Sequence, residues 1–407
     1  MPDVSVLEIL LHGKKIATLT HVGGDRTLFA FTEEYINDQN RSLLGLGFKD
    51  SLGQLVTDFN PTQTRIIPWF SNLLPEGHLR RYLAKRARVK SVREFFLLWM
   101  LGQDLPGAVV VRSADGEEYP PTARRGYDHE EEFREKVMRF SLAGVQLKFS
   151  AIENARKGLT IPVQGVGGDQ IVKLPSRQFG ALPENEYSMM ELARDVGIDV
   201  PRVELIEVDS IENLPDDVDI FGTHAFAIDR FDRPPGRNSV HIEDFAQIFG
   251  VYPDAKYDKA SIRSIASVVG VECQQEDIKE LIRRLVFNML IGNADMHLKN
   301  WSFMYLNEKN ASLAPAYDFV STICYIPDET FALKVSRTKR FAGFSLDELS
   351  HLAGKARLPE KLVLDVAVET VAKFHEVWRK EKNNLALSKD MIATIDKHLS
   401  QVPIAGE

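Results

Sequence analysis

Hydrophobic and polar positions alternate along VSVLEILL, residues 4–11. A period of two buries one face of an extended strand. HGKK predicts a turn at His12–Lys15, KIATLT the returning strand, and Thr27–Phe31 a third strand. The period then lengthens. IIPWFSNLLPEGHLRRYLAKRARVK and REFFLLWMLG read as helical, one helix opening near Pro75–Glu76 and Phe95–Leu101 being apolar enough to be buried. GAVVVRS, from Gly107, predicts a closing strand. From Ser113 to Tyr127 turn-formers and charge dominate, which predicts a linker.

The second part opens with helical HEEEFREKVMRF, followed by SLAGVQLKFSAI (Ser141–Ile152). A hairpin with its tip at GVGG, 165–168, leads into the strand QIVKLP. Glu184–Gly197 is patterned as a helix with Gly197 as its stop. VELIEV (203–208) and HAFAIDRF (224–231) complete a sheet. After RFDRPPGR the pattern turns helical in DFAQIFG, SIRSIASVVG and EDIKELIRRLVFNMLIG, and again from Leu346 onward. A β-rich lobe at about 140–232 therefore precedes a helical lobe at about 238–407. The expected fold class is α+β: a two-lobed domain over 125–407 behind a small β-rich N-terminal domain over 1–120.

The chain has 407 residues, enough for two or three domains with their own cores. Hydrophobic content of 44% and charged content of 27% fit a soluble globular protein. A net charge of −8 excludes a surface that attracts nucleic acid everywhere. The densest basic stretch, Arg80, Arg81, Lys85, Arg86, Arg88, Lys90 and Arg93, fits phosphate or an acidic partner; we read it as the solvated face of an amphipathic helix. Cys273 and Cys324 have no metal-type spacing and point to a reducing compartment. The N-terminus is too short and charged for a signal peptide, and no apolar run reaches about 18 residues. These features predict a cytoplasmic protein without a membrane span.

The densest candidate chemistry lies in LIGNADMHLKNWS, Leu290–Ser302, which carries Asp295, His297, Lys299 and Asn300. Asp295 and Asn300 have the spacing of base and metal ligand in the protein-kinase catalytic loop. Asp318, in AYDF, follows Asn300 by 18 positions and fits the second carboxylate that Mg²⁺ needs beside nucleotide phosphates. Asp and Asn also cap solvated turns, so the triplet alone leaves both readings open. Lys173, in a β-type run, is placed like the strand lysine that reaches ATP phosphates; edge-strand lysines are common too. Glu186 is either its partner or a first-turn acid favoured by the helix dipole. Small residues at Ser141, Ala143 and Gly144 suit a backbone cradle for phosphate, or a plain strand-entry turn.

Together these stretches resemble the HipA-type serine/threonine kinases, the toxin half of bacterial toxin–antitoxin pairs. The matching residues are SLAGVQLK (141–148), IVKLP (171–175), NEY with its following helix (185–197), RFDR (230–233), IGNADMHLKN (291–300) and PAYDF (315–319). NLLPEG (72–77) and the GAV strand (107–109) match the family's N-terminal domain. Asp229 stands where glutamate is expected, and Met296 where glycine is more usual. The resemblance implies a protein-kinase-like domain using ATP and Mg²⁺. It implies Asp295 as catalytic base and Asn300 with Asp318 as metal ligands. Ala143, Gly144, Val145, Gln146, Leu147 and Lys148 become the phosphate loop, and Lys173 the bridge to the phosphates. Asp229, Arg230 and Phe231 become the hinge beside adenine. His297 becomes a phosphate contact, with Leu298, Lys299 and Tyr317 in the nucleotide site.

The resemblance also makes Ser141 the autophosphorylation site. A phosphate there would add about −1.5 to −2 charges beside the loop that holds ATP, and so expel the loop; otherwise the serine is a local cap. The implied partners are a helix-turn-helix antitoxin like HipB and a protein substrate such as an aminoacyl-tRNA synthetase. DNA would be reached mainly through the antitoxin. The alternatives are a small-molecule phosphotransferase on the same scaffold and a catalytically idle co-repressor.

Overall fold

The computed structural model describes residues 5–86, 89–117, 148–153, 159–160, 167–214 and 220–406. Two strands, β1 (Ser5–Leu11) and β2 (Lys14–Val22), pair antiparallel around His12 and Gly13. Both turn residues have positive φ, 49° and 77°, the backbone twist that a tight hairpin needs. With β3 (Arg26–Phe31), β4 (Thr62–Gln63) and β5 (Val109–Ser113) they form a sheet of order β4-β3-β2-β1-β5. The Glu94–Leu101 helix is buried at every position. Glu94 is tolerated there because it accepts hydrogen bonds from the Ile66 amide, Ser71 Oγ and Arg80 Nη2, each at 3.0 Å.

The second sheet has the order β10-β7-β6-β8-β11-β9. Its strands are β6 (Lys148–Glu153), β7 (Leu159–Thr160), β8 (Gln170–Lys173), β9 (Val203–Glu207), β10 (Ile211–Glu212) and β11 (His224–Asp229). Alternation along β11 sorts its side chains between two cores. Ala225 and Ala227 belong to the core of the N-terminal domain; Phe226 and Ile228 face the Leu182–Val196 helix and the helical lobe. Val172 and Leu174, around Lys173, also join the N-terminal core. The N-terminal domain is thus the outer layer of this sheet, and small alanines allow the close approach.

The helical lobe centres on the Gln275–Ile291 helix, buried continuously from Arg284 to Ile291. It packs against the Glu360–Glu381 helix. Gly292 ends it in the left-handed conformation at φ 66°, where a Cβ would lie 2.4 Å from Ile323. Two differences from the sequence-based expectation stand out. DFAQIFG makes only the single turn Phe245–Ile248. Before it, His241–Asp244 is a strand, β12, pairing with β13 (Ser302–Tyr305), which in turn pairs with β14 (Ser312–Leu313). The linker from residue 118, the HEEEFREKVMRF helix and the first half of the GVGG hairpin tip lie outside the described residues.

Candidate active site

Between the β-rich and helical lobes lies a cleft of ≈ 1490 Å³. Of the residues singled out from sequence, Lys173, Asp229, Arg230, Phe231, Asp295, His297, Lys299, Asn300, Tyr317 and Asp318 line it. Ser141 and the loop residues Ala143, Gly144, Val145, Gln146 and Leu147 lie outside the described residues, and Lys148 is described only as the first backbone position of β6. Leu298 does not line the cleft. Its side chain is fully buried in the helical lobe's core, so any contact it makes with a nucleotide would be through its backbone.

Lys173 settles the status of Glu186. Its Nζ donates to Glu186 Oε1 at 2.5 Å and also to the carboxylate of Asp318. Burial alone would favour the neutral amine; the two carboxylates outweigh it and raise the lysine above its ordinary pKa. Glu186 is positioned by the Leu182–Val196 helix, whose Asn185 is bonded in both directions to the backbone of Ser321. The sheet, this helix and the Asp318 segment therefore meet at one ammonium group.

Asp318 sits at φ 57°, a left-handed conformation uncommon for a residue with a Cβ. Strain of this kind collects where a side chain must be aimed. Asn293 holds the neighbouring turns together: its Nδ2 donates to Asn288 Oδ1 (2.8 Å) and to the Asp318 carbonyl (3.3 Å), and its Oδ1 accepts from the Asp295 amide at 3.0 Å. Asn300 donates from Nδ2 to the Asp295 carbonyl at 3.1 Å, which leaves its oxygen for a cation.

Asn300 and Asp318 offer one amide oxygen and one carboxylate. That is a hard, sparse donor set which suits Mg²⁺ completed by phosphate oxygens and water. Among the described residues no cluster of three or more His, Cys, Asp and Glu could hold a metal by itself.

Asp295 accepts from the Tyr257 hydroxyl at 2.6 Å. The carboxylate is open to the cleft, yet the surrounding walls desolvate it, and its pKa is raised despite the hydrogen bond from Tyr257 and the charge of Lys256. His297 is buried and flanked by Lys256 and Lys299. Burial first, and then those cations, push it down to about 3, so it is a neutral imidazole. Its Nδ1 has no hydrogen-bond partner among the described residues.

Arg230 is committed elsewhere. It donates to Asp104 at 3.1 Å and to both oxygens of Asp232 at 3.1 and 2.9 Å, tying the Asp229–Phe231 segment to the N-terminal domain rather than holding a free cation toward the cleft. Asp229 accepts from Gln170 Nε2 at 2.7 Å. Phe231 stacks on Tyr317, ring centroids 5.8 Å apart, and the Tyr317 hydroxyl donates to the Lys299 carbonyl at 2.9 Å. Together they form an aromatic wall at the hinge end.

Among the cleft residues that escaped the sequence reading are Glu76, Asn293, Lys256 and Tyr257. Glu76 lay inside the NLLPEG stretch, a visible motif without an assigned role. Asn293 lay in GNAD. Lys256 and Tyr257, in AKYDK, carry no signal that separates them from a solvated turn.

Comparison with known proteins gives the family. Family models match over both halves of the chain: the HipA N-terminal domain over residues 7–112 and the HipA-like C-terminal domain over residues 140–378. The chain belongs to the HipA family. A Sinorhizobium fredii relative, Y4dM, whose name marks its kinase activity as provisional, is 53% identical over 410 residues, covering 100% of this chain and 99% of that protein. The serine/threonine-protein kinase toxin HipA of Shewanella oneidensis is 27% identical over 335 residues, covering 74% of this chain and 72% of that one. The fold is that of HipA in the solved complex of S. oneidensis HipA, HipB and operator DNA, with a TM-score of 0.71 at 20% identity over 98% of this chain and 96% of that one. Among the described residues no helix is long and apolar enough to cross a membrane.

Proposed function

We propose that this HipA-family chain is a serine/threonine-protein kinase that transfers the terminal phosphoryl group of Mg-ATP to a protein hydroxyl. The observation that carries this reading is Lys173, held between Glu186 and Asp318. A strand lysine joined to a helix glutamate and to the metal-side aspartate is the arrangement a kinase needs around its phosphates. Asn300 and Asp318 would hold Mg²⁺, which when bound neutralises phosphate charge. Asp295 takes the acceptor's proton as the hydroxyl oxygen bonds to the terminal phosphorus. The bond from that phosphorus to the bridging oxygen breaks, and ADP leaves. Phe231 and Tyr317 supply an apolar wall for adenine beside the Asp229–Phe231 hinge. The phosphate cradle at Ala143–Lys148, and Ser141 as the self-modified residue that silences the enzyme, belong to the same proposal.

We propose further that the chain acts as the toxin of a toxin–antitoxin pair in the cytoplasm, a reading its family membership supports. A HipB-like antitoxin would restrain it and contact DNA on its behalf, consistent with the net charge of −8. An aminoacyl-tRNA synthetase is the substrate class we carry forward. Radiolabel transfer from Mg-ATP tests the chemistry. Wild type should label protein, itself included, and Asp295→Asn should not while still binding nucleotide. Equal labelling by both would remove Asp295 as the base, and label moving to a small product would point to a different acceptor class.

A further inference from the structure

NLLPEG, residues 72–77, belongs to the N-terminal domain, yet Asn72, Leu73 and Glu76 line the cleft, and the transfer chemistry above gives them no part. Glu76 reaches across the domain boundary. Its Oε1 accepts from Lys299 Nζ at 2.7 Å and its Oε2 from Lys256 Nζ at 2.9 Å. Lys299 Nζ also donates to the Asn72 carbonyl at 3.0 Å. Asn72 is itself anchored, its Nδ2 donating to the carbonyls of Pro68 and Val251 at 2.9 and 2.7 Å. All three charged side chains are largely buried, 14% exposed for Glu76 and 9% for each lysine.

Two ammonium groups share one carboxylate; Asp295 beside Lys256 and Asp244 beside Lys299 are further acids within reach of the pair. Without Glu76 the lysines would repel each other in a partly desolvated space, where repulsion is strong. With it they are held side by side, each on its own oxygen. Next to them is His297, buried, with a ring nitrogen lacking a partner among the described residues. Lys299 directly precedes Asn300 and lies four residues past Asp295. Two ammonium groups held side by side at that position suit an anion that arrives from the cleft.

We infer that Glu76 is a positioning residue for phosphoryl transfer, aligning Lys256 and Lys299 so that both bear on the terminal phosphate of the nucleotide. This rests on the kinase reading above. It means that the N-terminal domain completes the active site and that the two lobes alone do not. Charge placed where phosphate charge redistributes should act more on the transfer step than on ground-state binding. A plain interdomain salt bridge would act on stability alone.

The test uses the full chain with Glu76→Gln, Glu76→Asp and Lys256→Met. The readouts are kcat and KM for ATP, the ratio of Mg-ATP to Mg-ADP affinity, and Tm. Glu76→Gln should lower kcat by about 10²-fold. KM should move by less than about threefold, as expected when an interaction matters mainly in the transition state. Glu76→Asp should recover part of the loss, and both Glu76→Gln and Lys256→Met should weaken the preference for ATP over ADP. Should Glu76→Gln fail to fold, Lys256→Met carries the same comparison, because it leaves the Glu76–Lys299 pair in place. A lowered Tm with unchanged kcat and unchanged ATP-to-ADP preference would make Glu76 a domain clamp and overturn the inference. Wild type that transfers phosphoryl alongside an equally active Glu76→Gln overturns this inference alone. Wild type and Asp295→Asn that both transfer nothing overturn the kinase reading, and this one with it.

Discussion

The phenol of Tyr257 donates to the Asp295 carboxylate at 2.6 Å, from a turn 38 residues upstream in the chain. The tyrosine ring meets His297 edge-on, with centroids 5.1 Å apart. One lone pair of that oxygen is thus already in use. An incoming hydroxyl has that oxygen's second lone pair or the other oxygen to address.

This contact sets a pH dependence. Burial raises Asp295, and Tyr257 and Lys256 partly counter it, leaving the net shift upward. A base works only when ionised, so a raised pKa means that activity is lost, as pH falls, at a higher pH than an ordinary aspartate would give. Tyr257→Phe removes a lowering influence. The acidic limb of kcat/KM should then move further up, as expected when a hydrogen bond that favours the charged form is lost. Profiles of the two proteins decide the matter: a limb that stays put or moves down in the Phe variant would mean that Tyr257 does not act on the base.

Asp318→Asn isolates the metal-side charge. Asparagine is among the few residues that accept a left-handed backbone, so the φ of 57° should survive the substitution. Lys173 would keep Glu186. Mg²⁺-dependent ATP binding should weaken at least about tenfold, the lower end of what losing a metal-site group costs. Binding without Mg²⁺ should change little. Titrations with and without the ion measure this, and equal Mg-ATP affinity in the two proteins would exclude Asp318 as a ligand.

How far the sequence carried the reading follows from which signals are local. The alternation of HAFAID marked β11, and the fixed spacing of Asp295, Asn300 and Asp318 marked the cleft, because backbone period and motif spacing are written in consecutive residues. Which neighbour each face meets is not. Nothing in HAFAID says that Ala225 and Ala227 cover a second domain. Leu298 sits within the motif yet points into the core, because a motif fixes the chain's path and side chains leave that path on both sides. β12 escaped because four residues, HIED, become a strand only by pairing with β13, some sixty positions on. The basic stretch proved mixed. Arg80 and Arg93 serve Glu94 and Asp25, while Arg81, Lys85 and Lys90 are exposed.

Glu243 gives a stability prediction. It is fully buried on β12 and accepts from the amides of Leu46 and Gly47 (2.8 and 3.3 Å), Trp69 Nε1 (2.8 Å) and the Tyr305 hydroxyl (2.8 Å). Burial pushes it up to about 7 even though four donors favour the carboxylate. Three of those donors come from the N-terminal domain, so this one side chain fastens that domain to the helical lobe. Glu243→Gln would turn an NH₂ group toward donors and leave some of them unpaired in the interior. We expect a loss on the order of 2–4 kcal/mol. Thermal or denaturant unfolding measures it, and an unchanged midpoint would show that the network relaxes without cost.

Glu76 links the same interface to acid. Burial would raise its pKa, but Lys299 and then Lys256 outweigh burial and lower it from 4.5 to about 2. A carboxylate whose folded pKa is depressed stabilises the fold fully above its unfolded pKa, and that contribution fades as pH falls through the folded value. The window here runs from about 4.5 down to about 2. The contribution at neutral pH should be on the order of 3 kcal/mol, the linkage equivalent of a shift of that size in a mostly buried group. Other carboxylates titrate in the same range, so wild type has to be compared with Glu76→Gln. At pH 7 the variant should unfold at the lower temperature. As pH drops toward 3 the gap should narrow, because wild type is losing what the variant never had. A gap that stays constant from pH 7 to pH 3 would mean that the Glu76 carboxylate is not held ionised by the two lysines.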